Sequence, residues 1–177
     1  MEKRWVFKPK ANQQDIEHLQ EVLNIEPLLA NLLAQRGIND FTRAKKFFRP
    51  SLDSLYDPFR MKDMNRAIER IEKAILNNQH ILIYGDYDVD GTTSVALVYS
   101  FLKRYYNNLD YYIPDRYEEG YGISFKGINY AAQNNVSLII ALDCGIKATK
   151  KVEYANSLNI DFIICDHHTP ETKLPDA

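Results

Sequence analysis

Residues 80–91 read HILIYGDYDVDG. The opening run is apolar throughout, too short for a helix of ordinary length, and ends at a glycine followed by three aspartates at alternate positions. A strand that is apolar on both faces belongs inside a sheet covered on both sides. Two further runs of this kind follow: Leu138–Leu142 leads into Asp143, and Asp161–Cys165 leads into Asp166, His167 and His168. A shorter run, LDYYIP, begins at Leu109. Between them lie stretches with helical character: TTSVALVYSFLKRYY, Ser124 to Asn134, and KATKKVEYANSL. Strand, turn and helix in repetition predict an α/β fold with a parallel β-sheet flanked by helices.

Upstream of residue 79 the periodicity is helical. Residues 14–36 carry apolar positions at helical spacing, interrupted at Pro27, with Gly37 as a C-cap. Asn39 or Asp40 is placed to cap a short helix, FTRAKKFF. Residues 63–77 put Met64, Ala67, Ile68, Ile71, Ala74 and Ile75 on one face. The pattern divides the chain into a helical amino-terminal region, 1–78, and an α/β domain, 79–177.

Composition narrows the function classes. Hydrophobic residues make up 45 % of 177, enough for a packed core. The formal charge is 22 minus 24, or −2, so any nucleic-acid contact has to come from local patches or from sequence outside this chain. Two scattered cysteines, Cys144 and Cys165, form neither a disulfide framework nor a zinc knuckle, and read as reduced, buried thiols. The start has no apolar stretch behind its positive charges, and no run approaches the ~20 residues of a membrane helix. A cytoplasmic location without membrane attachment is expected.

In open α/β sheets ligands bind beyond the carboxyl ends of the strands. If the strands are parallel, separations of 57 residues (86 to 143) and 23 residues (143 to 166) collapse into one pocket. The acids of the first cluster, Asp86, Asp88 and Asp90, have no basic residue among them, and a divalent cation supplies the missing charge. An EF-hand also opens D-x-D-x-D-G, but its twelfth position would be Leu97 and a strand precedes the loop, so it is set aside. The plain alternative is a solvated acidic turn capping the helix at Thr92. Dinucleotide and P-loop fingerprints are absent. Carboxylates with imidazoles at Asp166-His167-His168 suit Mn²⁺, Fe²⁺ or Zn²⁺, and a carboxylate majority suits Mn²⁺ or Mg²⁺. His18 and His80 have no acidic cluster beside them and receive no role.

DYDVDG after a strand, then ALDCG, then CDHHTP resemble the first three motifs of the DHH phosphoesterases. IPDRYEEGYGIS and the helical prelude, LLAQRGI then FFRPSLDSLYDPFRMKDMNRAIERI, are similar to the RecJ-type branch of that family. The resemblance runs from about residue 24 to the end. It implies that Asp86, Asp88, Asp143 and His167 are metal ligands, with Asp143 shared between two ions of Mn²⁺ or Mg²⁺. His168 would contact the scissile phosphate, Asp90 would support the loop or a second metal, and Asp166 would orient an imidazole. The implied activity is 5′-to-3′ hydrolysis of single-stranded DNA in recombination and repair, with a single-strand-binding protein and a repair helicase as partners. A fourth motif and the family's carboxy-terminal domains do not follow, which reads as an amino-terminal fragment with a weak or inactive site. The alternatives are a phosphodiesterase of short oligonucleotides or cyclic dinucleotides, a related pyrophosphatase, and a catalytically dead scaffold.

Two further features carry paired readings. Arg43, Lys45, Lys46 and Arg49 flank Phe47 and Phe48: bases can stack there, or one phenylalanine packs in the core beneath a solvated basic face. Arg116, in a glycine-containing loop, either meets a substrate phosphate or lies on a plain surface turn.

Overall fold

Short polar side chains set the starts of the amino-terminal helices in the computed structural model, which describes residues 4–177. Asn12 accepts from the amide of Gln14 to start α1 (Gln13–Leu23). Pro27 opens α2 (Pro27–Ala34), where its missing N–H costs nothing. Past α2 the chain turns on Gly37, at φ +76°, and the amide of Ile38 returns to the Leu33 carbonyl. Asp40 caps α3 (Phe41–Phe48) through the Arg43 amide. Ile16, Leu19, Ala30, Leu33, Ile38 and Ala44 form the core of this unit, which ends at Arg60. Ala44 is the buried residue of α3. Phe47 and Phe48 stay 52 % and 63 % exposed and pack edge to face on each other, so neither takes the core position.

The second unit, Met61–Ala177, begins before the change of pattern at residue 79 and takes in the amphipathic helix α4 (Met64–Leu76). The apolar runs form strands β1 (His80–Gly85), β2 (Leu109–Tyr112), β3 (Val136–Leu142) and β4 (Asp161–Cys165). All pair in parallel, in the order β2-β1-β3-β4. The connecting helices are α5 (Val89–Leu102), α6 (Phe125–Gln133) and α7 (Thr149–Ser157).

Strand alternation sorts the core into two layers. Leu82, Tyr84, Ile139, Ala141 and Phe162 meet α6 and α7 on one face. Ile81, Ile83, Leu138, Ile140 and Leu142 meet α4 and α5 on the other. Burying each such side chain contributes roughly 1.5–3 kcal/mol. The chain runs outward from β1 to β2, then crosses back past β1 to β3 and β4. That reversal makes the carboxyl ends of β1 and β3 the switch point of the sheet, where such folds place their ligands. No helix among the described residues is long and apolar enough to cross a membrane.

Candidate metal centre

Register builds the site. Gly85 pairs with Leu142, and Leu142 with Cys165. The next residue on each strand is therefore Asp86, Asp143 and Asp166, level across three neighbouring strands about 5 Å apart.

Asp86 is fully buried. One of its oxygens accepts from its neighbour's amide, Tyr87, at 2.6 Å, and the other from the Gly122 amide at 2.6 Å. Burial pushes its carboxyl above the ordinary aspartate value, the two amides pull against this, and Asp88 and Asp143 push it further up. The turn closes because two glycines meet: a Cβ on Gly91 would lie 2.4 Å from the Asp86 carbonyl oxygen, and one on Gly85 would strike Val95 and Gly91. Asp88 is the N-cap of α5, accepting from Gly91 N at 2.9 Å, while its other oxygen accepts from the Tyr121 hydroxyl at 3.2 Å. Capping falls on Asp88, so α5 begins at Val89, ahead of Thr92.

Asp143 takes a left-handed backbone, φ +59°, and its amide donates to the Cys165 carbonyl at 2.8 Å. Aspartate tolerates this conformation better than most residues, and it turns the carboxylate toward His167, whose Nε2 is 3.0 Å from Oδ1. Asp166 accepts from the Ile146 amide on one oxygen and from the His168 amide and Nδ1 on the other, the ring at 2.7 Å. Burial raises the Asp166 carboxyl, but these donors and the His168 charge outweigh it and hold the group below the usual range. In return the hydrogen bond and charge of Asp166 raise His168 above the ordinary histidine value.

The donor set fits a divalent cation. Asp143 and His167, expected as ligands, and His168, expected at the phosphate, each bring one donor atom within 4.8 Å of the other two. Asp86 and Asp88 stand outside that trio, their oxygens engaged by backbone amides and Tyr121, with further lone pairs free. Cys144 is buried beside them, and burial together with the surrounding acids pushes its thiol far up, which keeps it from acting as a thiolate. Cys165 is exposed, against the expectation that both thiols are buried.

The family profile described as DHH family, N-terminal domain, matches residues 80–177. The chain belongs to the DHH family. The single-stranded-DNA-specific exonuclease RecJ of Bacillus subtilis is 40 % identical over 174 residues, 98 % of this chain and 22 % of that protein. A crystal structure of exonuclease RecJ bound to manganese superposes with a TM-score of 0.63 at 28 % identity, over 68 % of this chain and 31 % of that one. RecJ of Thermus thermophilus in complex with Mn²⁺ gives 0.65 at 21 % identity, over 95 % and 23 %, a likeness of fold.

Among the remaining residues singled out in this DHH chain, Asp90 is exposed in the first turn of α5, and its carboxylate makes no hydrogen bond among the described residues. Arg116 stacks on the Tyr87 ring at 5.2 Å. His80, left without a role, links the Asn134 carbonyl and Asp110 at the opposite end of the sheet. Sequence reasoning passed over Tyr121, Gly122 and Glu119. Glu119 accepts from Tyr112, Ser124 and the Asp115 amide, and so fastens the loop that carries the other two. The visible signal was the order Gly120-Tyr121-Gly122, and in the structure both glycines take a positive φ.

Proposed function

We propose that this chain acts in metal-dependent hydrolysis of phosphodiesters, as a 5′-to-3′ exonuclease on single-stranded DNA serving recombination and repair in the cytoplasm. The observation that carries the reading is the alignment of Asp86, Asp143 and Asp166 one residue past three adjacent parallel strands, with two histidines next in line. Similarity to RecJ proteins supports the choice of substrate.

In this reading Asp86, Asp88, Asp143 and His167 hold Mn²⁺ or Mg²⁺, as two ions. A divalent ion bound there lowers the pKa of water and neutralises charge developing on phosphate oxygens. The remaining work falls to side chains. Asp166 fixes the His168 ring and favours its protonated form, which suits it to donate to a non-bridging oxygen of the scissile phosphate. Of two roles for Asp90, loop support or a second ion, its exposed carboxylate, without a hydrogen bond among the described residues, favours the second ion. Arg116, which lies over the Tyr87 ring, is the residue this reading gives to an incoming phosphate. A single-strand-binding protein and a repair helicase are the expected partners in the cell.

The test is a nuclease assay with Mn²⁺ on end-labelled oligonucleotides, single-stranded against duplex, alongside His168→Ala. Weak release of mononucleotides from the 5′ end of single strands alone, lost in the variant and on chelation, is the expected result for a chain spanning 22 % of its Bacillus subtilis relative. Equal cleavage by His168→Ala would overturn the role given to that residue.

A further inference from the structure

The loop between β2 and α6 reaches two of the acidic clusters through neighbouring residues. The Gly122 amide donates to Asp86, and the Tyr121 hydroxyl donates to Asp88. The Tyr121 ring also stands edge-on to His168, with centroids 6.3 Å apart, and edge-on to Tyr87 at 5.8 Å. One side chain thus touches the first cluster through its hydroxyl and the third through its ring. Its backbone is set by Gly120 at φ +77° and Gly122 at φ +81°, a pairing that lets the tyrosine stand out from the turn. Beneath it, Tyr84 anchors the turn by donating to the Gly122 carbonyl and accepting from the Ser124 amide, both at 3.1 Å.

We infer that Tyr121 is a positioning residue for the metal centre: its hydroxyl fixes the Asp88 carboxylate in the orientation that divalent-cation binding requires. The inference rests on the reading that these carboxylates hold metal. The chemistry is that of an outer hydrogen-bond partner. The Gly91 amide and the Tyr121 hydroxyl hold the two Asp88 oxygens, and because both turn together about χ2, losing Tyr121 leaves a single hydrogen bond to fix the plane of the carboxylate. A tyrosine hydroxyl carries its proton at neutral pH, so Tyr121 meets the Asp88 carboxylate as a donor, distinct from a phenolate ligand. Losing an outer partner of this kind lowers metal affinity by about 10- to 100-fold.

The experiment titrates Mn²⁺ alone into the full chain by calorimetry, with the free-Mn²⁺ electron paramagnetic resonance signal as a second readout, for the unaltered protein, Tyr121→Phe and Tyr121→Leu. Tyr121→Phe keeps the ring packing and removes only the hydroxyl, so its thermal melt stays in place. Its Mn²⁺ affinity falls by about tenfold, and Tyr121→Leu falls at least as far. Equal affinity for Tyr121→Phe and the unaltered chain overturns the inference alone, whether or not Tyr121→Leu is weakened, since then the ring or nothing matters. Absence of Mn²⁺ binding by the unaltered chain overturns the metal reading and this inference with it.

Discussion

Asp86 and His167 follow β1 and β4, on either side of β3, and are held in opposite ways. Asp86 is fully buried, with both oxygens fixed by backbone amides and its turn sealed by Gly85 against Gly91. The His167 side chain is 75 % exposed, with its ring against the Asp143 carboxylate and the likewise exposed His168 ring. The first half of the site is part of the fold, whereas the last half rests on it. Changes in the first half should therefore cost stability, and changes in the last half should cost ligand binding alone.

The sharpest way to break this contrast is Gly91→Ala. The new Cβ meets Asp86 backbone, which cannot yield as a flexible side chain would. We expect a loss of about 3 kcal/mol, read as a fall of roughly 6–12 °C in melting temperature. A melt within about 2 °C of the unaltered chain would show that the turn is looser than described. Asp86→Ala comes next. It strands the buried Gly122 amide and frees that of Tyr87, at a cost of about 2 kcal/mol, measurable by urea denaturation. Much of that cost returns in Asp86→Asn, which keeps an acceptor for one of the two amides.

A pH prediction separates the two halves further. Burial raises the Glu119 carboxyl, but hydrogen bonds from Ser124, the Asp115 amide and Tyr112 outweigh it, and the group lies below the ordinary glutamate value. A depressed folded-state value means that its contribution to stability is complete above the ordinary glutamate range and fades as pH falls through the lower, folded value. Acidification through that window should increase hydrogen exchange at the Gly122 amide, corrected for intrinsic rate. In Glu119→Gln this added pH dependence should vanish. The smallest effect belongs to His167→Ala: less than about 0.5 kcal/mol on stability, with Mn²⁺ binding impaired. A large loss of stability there would erase the distinction between the two halves.

How much of this was legible in the sequence follows the same division. The parallel sheet was readable because Ile81–Tyr84, Leu138–Leu142 and Phe162–Ile164 are apolar without interruption, and the aspartates after them inherit their register. The stretch from Ser124 to Asn134 was readable as a helix, and Ser124 caps it through the Gly127 amide. The start of α5 was not, because choosing Asp88 over a later cap depends on its carboxylate reaching the Gly91 amide. Tyr121 and Gly122 were invisible for a stronger reason. Their bonds join an irregular loop to residues 33 and 36 positions earlier, and no periodicity encodes such pairs. Exposure of Phe47 and Phe48 was likewise hidden, since a short helix with one small residue, Ala44, facing inward reads the same as one that buries a phenylalanine.

The most direct test of the central claim, that strand-end acids from three segments converge on one cation site, is Mn²⁺ calorimetry on the unaltered chain beside Asp143→Asn. Asparagine accepts the left-handed backbone at this position and removes only the charge. Saturable binding is expected in the first and its loss in the second. Equal binding in both would contradict it.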